Sequence, residues 1–144
     1  MDVPQLPDNS EFNFIADCHT RWSDEDNLGV LNNAVYLTLL EEARFQYFSN
    51  LELMHLSKQF NFVLGQTNIR FLAPGKGATA VSVAIQTSHL GNRSFTQKYR
   101  VYCPLTDIIW AEAEAVMVVW NPKSRSADDM PDEFRGKISD FEGI

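Results

Sequence analysis

The sequence is poor in the residues that build the commoner metal and redox sites, with two cysteines and three histidines in 144 residues. Cys18 and Cys103 stand apart in apolar or strand-like text, with no C-x-x-C or Cys/His spacing. They read as reduced core thiols rather than a zinc site or redox pair. His19, His55 and His89 are too scattered for a metal motif, and no Gly-x-Ser-x-Gly or Gly-rich phosphate loop accompanies them, so no metal and no resident cofactor is expected. Long apolar runs are also missing. The longest, residues 115–120, is far too short to cross a bilayer, and residues 1–5 have neither a basic nor an apolar leader region. A soluble, cytoplasmic protein with no membrane partner is the expectation. Basic residues are outnumbered, 12 Lys and Arg against 19 Asp and Glu, and the net charge of −7 argues against nucleic acid as a partner. Acids are unevenly spread, however. None lies between residues 53 and 106, where Lys58, Arg70, Lys76, Arg93, Lys98 and Arg100 all fall, and that stretch is available to face a polyanion.

What is present fits a single domain over residues 1–144, with residues 1–10 as a loose lead-in and 44% apolar residues to fill a core. Phe12, Phe14, Ala16 and Cys18 alternate with Asn13, Ile15, Asp17 and His19, the period of a strand. Residues 33–49 lack Gly and Pro and read as a helix, with Asn32 or Asn33 placed to cap it. Its apolar residues cover most of the circumference, which predicts a helix enclosed on nearly every side. Residues 60–72, 79–89, 94–103 and 108–120 read as four strands joined by short turns, hence antiparallel. The small residues Ala111, Ala113 and Ala115 share one face of the last strand, which predicts a close approach of the helix there. Pro131, at a first helical position, followed by Phe134, Ile138 and Phe141, predicts a short outer amphipathic helix. One sheet layer cannot enclose such a helix alone, so two copies joined edge to edge are expected.

The motif Asp24-Glu25-Asp26-Asn27-Leu28-Gly29 puts three acids just before the long helix. It reads either as a solvated loop in favourable contact with the helix dipole or as a site. A calcium loop fails on spacing, since Leu28 and Val35 fall where oxygen ligands are needed. Unpaired N–H groups of the first helical turn, at Asn33 and Ala34, can donate to a developing oxyanion, and Asp26 beside them can take a proton from water or attack carbon. That is chemistry for acyl transfer. His19 reads as structural, Glu41 and Arg44 as a helix-stabilising pair, Tyr36 as a packing residue, and Trp22 as a core or interface residue.

Arg21-Trp22-Ser23-Asp24-x-Asp26-x-x-Gly29-Val30-Leu31-Asn32-Asn33-Ala34-x-Tyr36-Leu37, then Glu41-x-Ala43-Arg44, resembles the signature of hotdog-fold acyl-CoA thioesterases of the 4-hydroxybenzoyl-CoA thioesterase type. Ile69-Arg70-Phe71-Leu72-Ala73-Pro74 and Gly91-Asn92-Arg93-Ser94-Phe95 resemble later motifs of that family, in the expected order, and the likeness spans residues 11–122. It implies an α+β hotdog fold, with a long central helix wrapped by a five-stranded antiparallel sheet and a short C-terminal helix. It implies hydrolysis of an acyl-CoA, with Asp26 as nucleophile or base and the Asn33 backbone N–H as oxyanion donor. Gly29 matches the glycine that turns the loop, and Ala34 belongs to the same helix start. Arg93, Lys123 and Arg125 are candidates for the coenzyme A phosphates, and a homodimer or homotetramer is implied, with the acyl group at the interface. Val30 stands where many relatives have His, so a non-catalytic hotdog module that binds an acyl-CoA or another partner is the alternative; a dehydratase on this fold is the less favoured third.

Overall fold

The computed structural model describes residues 8–58 and 61–144. The elements run β1 (Phe14–His19), α1 (Asn33–Asn50), β2 (Asn61–Phe71), β3 (Ala80–Leu90), β4 (Ser94–Cys103), β5 (Ile108–Asn121), β6 (Ser126–Ala127) and α2 (Asp132–Glu142). Every strand pair is antiparallel, in the order β1-β3-β4-β5-β2, with the two-residue β6 on the end of β5. Strands β1 and β2 are neighbours in the chain yet lie at opposite edges of the sheet. The segment between them must therefore cross the sheet, and α1 is that crossing. Register shifts at Leu64/Gln66, Thr87/His89 and Val101/Tyr102 place bulges in the strands, which bend the sheet around the helix. This is the hotdog arrangement, with the five long strands expected from the sequence plus one two-residue addition. The loose lead-in lies mostly outside the described residues, as does Phe60.

The single chain encloses only one side of α1. The helix buries Tyr36, Leu39, Leu40, Ala43, Tyr47 and Phe48, but Leu37 is 44% and Phe45 58% exposed. A single curled sheet covers one side of a helix, so a helix apolar all round keeps an open face in the isolated chain. The alanine row is also only partly as expected. Ala111, Ala113 and Ala115 are buried on the inner face, yet the helix backbone comes closest to β1 and β3. Beside the alanines stand their larger cross-strand neighbours Tyr99 and Gln97.

Helix α2 begins one residue later than expected, with Pro131 at the N-cap. Its Phe134 is fully buried and meets Phe48 of α1 and Phe95 of β4 at ring-centroid distances of 5.5 and 5.2 Å. Phe62 of β2 joins them, 5.4 Å from Phe48 and 5.5 Å from Phe95. This cluster ties four elements together. Phe134→Ala is expected to cost about 3–5 kcal/mol of unfolding free energy, read from denaturant melts; a loss near zero would mean that α2 does not anchor the fold.

A polar chain runs through the same interior. Arg44 Nη1 donates to Tyr99 Oη at 3.0 Å, Tyr99 donates to Gln97 Oε1 at 2.8 Å, and Gln97 Nε2 donates to Thr87 Oγ1 at 3.3 Å. Tyr47 Oη bonds Thr87 Oγ1 and donates to Glu142 Oε2, each at 3.0 Å. Gln97, Thr87, Tyr47 and Tyr99 are almost wholly buried, so each of these groups needs its partner. Burial pushes the Tyr47 and Tyr99 hydroxyls above their ordinary pKa and keeps them neutral donors. Arg44 turns inward to Tyr99 and makes no ion pair with Glu41 among the described residues, contrary to the helix-pair expectation.

Candidate functional site

The acidic loop is built by short-range bonds. Arg21 N–H donates to Asp24 Oδ2 at 2.7 Å and closes a turn at Trp22–Asp24. That bond, then the Arg21 guanidinium, holds the Asp24 carboxyl below its ordinary pKa. Asp26 organises the next turn. Its N–H donates to Val30 O at 2.8 Å, its carbonyl accepts from Gly29 at 3.1 Å, and its Oδ1 accepts from Leu28 N–H at 2.8 Å and Val30 N–H at 3.4 Å. Gly29 sits at φ +75° with open space around a would-be Cβ, so backbone conformation alone asks for glycine there. Oδ2 of Asp26 has no partner among the described residues.

The loop is then fastened to the start of α1. Asn32 N–H donates to Asp24 O, and Leu31 N–H to Gly75 O, both at 2.9 Å. Asn32 is the N-cap, and its side chain accepts the Ala34 N–H at 3.0 Å. The first turn offers two N–H groups, with Asn33 expected as the oxyanion donor and Ala34 as a substrate-binding neighbour, and the Asn32 side chain distinguishes them. Ala34 is already satisfied by the cap, while the Asn33 N–H has no partner among the described residues. One open donor and one open carboxylate oxygen thus belong to a single fastened loop.

A second loop, between β2 and β3, clamps this one from above. A Cβ on Gly75 would lie 2.7 Å from Tyr36 Oη and 2.8 Å from Trp110 Cε3, and one on Gly77 would run into Arg21 O. Tyr36 packs as expected, edge-on to Phe71 at 5.0 Å, and burial raises its pKa against the opposing effect of a bond to the Gly75 backbone. Trp22 is not a core residue in this chain, being 80% exposed. Its one-turn helix rides on the surface, and nothing in its identity announces that. His19 is exposed and makes no bond to Asp26 among the described residues.

The basic residues distribute differently from the expectation. Arg93, Lys123 and Arg125 do gather at one end of the sheet, since the Arg93 carbonyl accepts from Val119 N–H and the other two follow β5. Arg93 is paired there with Asp129 at 3.0 Å. The start of α1 lies at the other end, against Trp110, roughly 30 Å away along β5 at about 3.3 Å per residue. One chain does not bring Asp26 and these cations together. Nor is the acid-free stretch a basic face. Glu112 of β5 pairs with Arg70 at 3.5 Å and Arg100 at 3.4 Å, Glu11 with Arg100 at 3.6 Å, and Glu114 stands opposite Lys98 in register. Acids distant in sequence pair with Arg70, Arg93 and Arg100 within it.

The sequence reading misses a groove of about 540 Å³ along the open face of α1, between Leu37, Glu41, Arg44 and Phe45 on the helix and Phe62 and Leu64 on β2. Excess apolar residues on the helix were the available signal. Cys18 and Cys103 are buried and free, and burial, reinforced by Glu42, pushes the Cys18 thiol up to about 12. Among the described residues no group of three or more His, Cys, Asp and Glu is arranged to hold a metal, and no helix is long and apolar enough to cross a membrane.

A curled antiparallel sheet around one long helix is the hotdog fold of thioesterases. The chain belongs to the Thioesterase-like superfamily, whose sequence model matches residues 20–138. A thioesterase from Thermus thermophilus, solved with coenzyme A and Zn, is 27% identical, with a TM-score of 0.80 over 93% of this chain and 97% of that one. Slr0204 from Synechocystis, a 1,4-dihydroxy-2-naphthoyl-CoA thioesterase, shares the fold at 20% identity and a TM-score of 0.79, over 88% of this chain and 96% of that one. The uncharacterised protein YsmA of Bacillus subtilis is 27% identical over 69% of this chain and 67% of its own length.

Proposed function

We propose that the protein hydrolyses an acyl-CoA thioester to free acid and coenzyme A, as an assembly of at least two copies. The observation that carries this is the pairing, in one fastened loop, of the open Asp26 Oδ2 with the open Asn33 N–H at a helix start, in a chain of thioesterase type. The N–H and the helix dipole stabilise the oxyanion that forms as the thioester carbonyl is attacked. Asp26 takes the proton from the attacking water, or attacks itself to give an anhydride that water then opens. In either route the C–S bond breaks and coenzyme A leaves as its thiolate, which takes up a proton. Release of free thiol from short, long and aromatic acyl-CoAs is the test. Tight binding without thiol release would overturn hydrolysis and favour the non-catalytic acyl-CoA module.

The open edge of β2 supports the second copy. Strand β2 pairs with β5 on one side only, and Val63 and Leu64 on it are more than 40% exposed. An apolar edge of this kind is a ready template for another strand. Two β2 strands joined about a twofold axis run antiparallel, so the Val119 end of one β5 lies level with the Trp110 end of the other. Such a pairing would bring the Arg93, Lys123 and Arg125 end of one copy toward the Asp26 end of its partner, which supports these cations as phosphate contacts for coenzyme A. Replacing all three with Gln is expected to raise KM about tenfold or more with little change in kcat, since such contacts hold ground state and transition state alike. A fall in kcat at unchanged KM would remove them from that role.

A further inference from the structure

We infer that Asn32 is a positioning residue for the proposed reaction: its neutral carboxamide closes the first turn of α1 around one open donor and puts no fixed negative charge beside the oxyanion. This rests on the reading of Asp26 and Asn33 above and adds a residue to it. A helix leaves its first four N–H groups without intrahelical partners. At α1 these belong to Asn32, Asn33, Ala34 and Val35. Asn32 disposes of three of them. Its own N–H donates to Asp24 O at 2.9 Å, its carbonyl accepts the Val35 N–H at 2.9 Å, and its side-chain oxygen accepts the Ala34 N–H at 3.0 Å. The Asn33 N–H is what remains, and the bond to Asp24 ties the cap to the loop that carries Asp26.

Capping alone does not account for an amide at this position. Asp and Ser cap about as well as Asn, and the helix dipole rewards acids in the first turn. Helix α2 takes that reward, with Asp132 and Glu133 in its first turn, whereas α1 has no acid there. The three acids of the preceding loop are each disposed of differently. Asp24 accepts from the Arg21 N–H at 2.7 Å and pairs with its guanidinium at 3.1 Å, and the Glu25 side chain lies against Gly77. Asp26 gives up its charge as the oxyanion forms, either by taking the water's proton or by bonding to the carbonyl carbon. A carboxylate at residue 32 would keep its charge throughout. It would sit on the Ala34 N–H while the oxyanion sits on the Asn33 N–H, neighbouring donors of one turn, and like charges so close oppose each other. The amide keeps the turn closed and the positive end of the helix dipole available to the oxyanion.

The test uses three variants of the full chain, read by thermal melts and by kcat and KM for thiol release from an acyl-CoA that the natural chain hydrolyses. Rates are compared on the plateau of each pH profile, so that a changed titration of the loop does not enter. Asn32→Asp keeps an acceptor for the Ala34 N–H, so the melting temperature is expected to hold while kcat falls about tenfold or more with KM little changed. Asn32→Ser is the conservative variant, neutral and able to accept the same N–H, and is expected to retain most of kcat. Asn32→Ala leaves the Ala34 N–H open and is expected to lower both melting temperature and kcat. A cap that served the fold alone would let stability sort the variants. A folded Asn32→Asp variant with unaltered kcat, or an Asn32→Ser variant as slow as Asn32→Asp, overturns the inference. Should Asn32→Asp fail to fold, Ala34→Asp carries a charge into the same turn with the Asn32 cap in place, and the same fall in kcat is expected. A slow Asp26→Asn variant beside an unimpaired Asn32→Asp variant removes only the role of Asn32; a natural chain that releases no thiol overturns the hydrolytic reading and this inference with it.

Discussion

Asp26→Asn is expected to lower thioester turnover by about 10²- to 10⁴-fold, the range for one acid/base group, with the fold intact. Asn is the informative replacement because the loop uses Asp26 through its backbone and its Oδ1. An amide oxygen accepts the Leu28 N–H as well as a carboxylate oxygen does, so the turn is kept and only the basic, nucleophilic Oδ2 is lost. Ala would remove both and confuse position with chemistry. A folded Asp26→Asn variant that releases thiol at the unaltered rate would remove Asp26 from the reaction.

Gly77→Ala is expected to damage activity from outside the proposed chemistry. The new methyl meets Arg21 O, a backbone atom that cannot swing aside, and lies 2.9 Å from Glu25 Cγ. Arg21 closes the turn that Asp24 anchors, and Asp24 O receives the Asn32 N–H at the helix cap. A shift at residue 21 is thus handed to both Asp26 and Asn33. Overpacking of this kind costs about 1–3 kcal/mol of stability, and a displacement of about 1 Å in a reacting group can lower rate about 10²-fold. Thermal melts and kcat measured together check this; an unaltered kcat would show that the two loops move independently. Gly29→Ala makes the contrast, for its Cβ meets nothing and only the positive φ resists it, at about 1–2 kcal/mol.

Local rules made much of this fold readable. The alternation at Ala16 and Cys18, the capping residue Asn32 and the Phe134/Ile138 face of α2 each follow from neighbours a few residues away, and each is found in the structure. Most of the unread features depend on partners far along the chain. Glu112 cancels Arg70 and Arg100 only because β5 lies between β2 and β4. Arg44 turns from Glu41 to Tyr99, and Tyr47 finds Glu142, through contacts that the pattern of α1 does not encode. Within the candidate site the unread part is geometry rather than distance along the chain alone. Asp26, Gly29 and the capped helix start are local and legible, whereas the separation of Ala34 from Asn33 needed the side-chain geometry of Asn32, and the distance to Arg93 needed the length of β5.

The placement of β1 and β2 at opposite edges also sets the order in which the chain can assemble. Strands β3, β4 and β5 follow one another through short turns and pair as successive hairpins, whose loops close quickly. Phe14 must find Ile85, and Asn61 must find Trp120, across long stretches of chain, so both edges carry a larger closure entropy and favour late docking. The central meander is therefore expected to gain amide protection first in pulsed hydrogen exchange. The loop holding Asp26 hangs between the two late edges, and competence for chemistry is expected to be among the last properties the folding chain acquires.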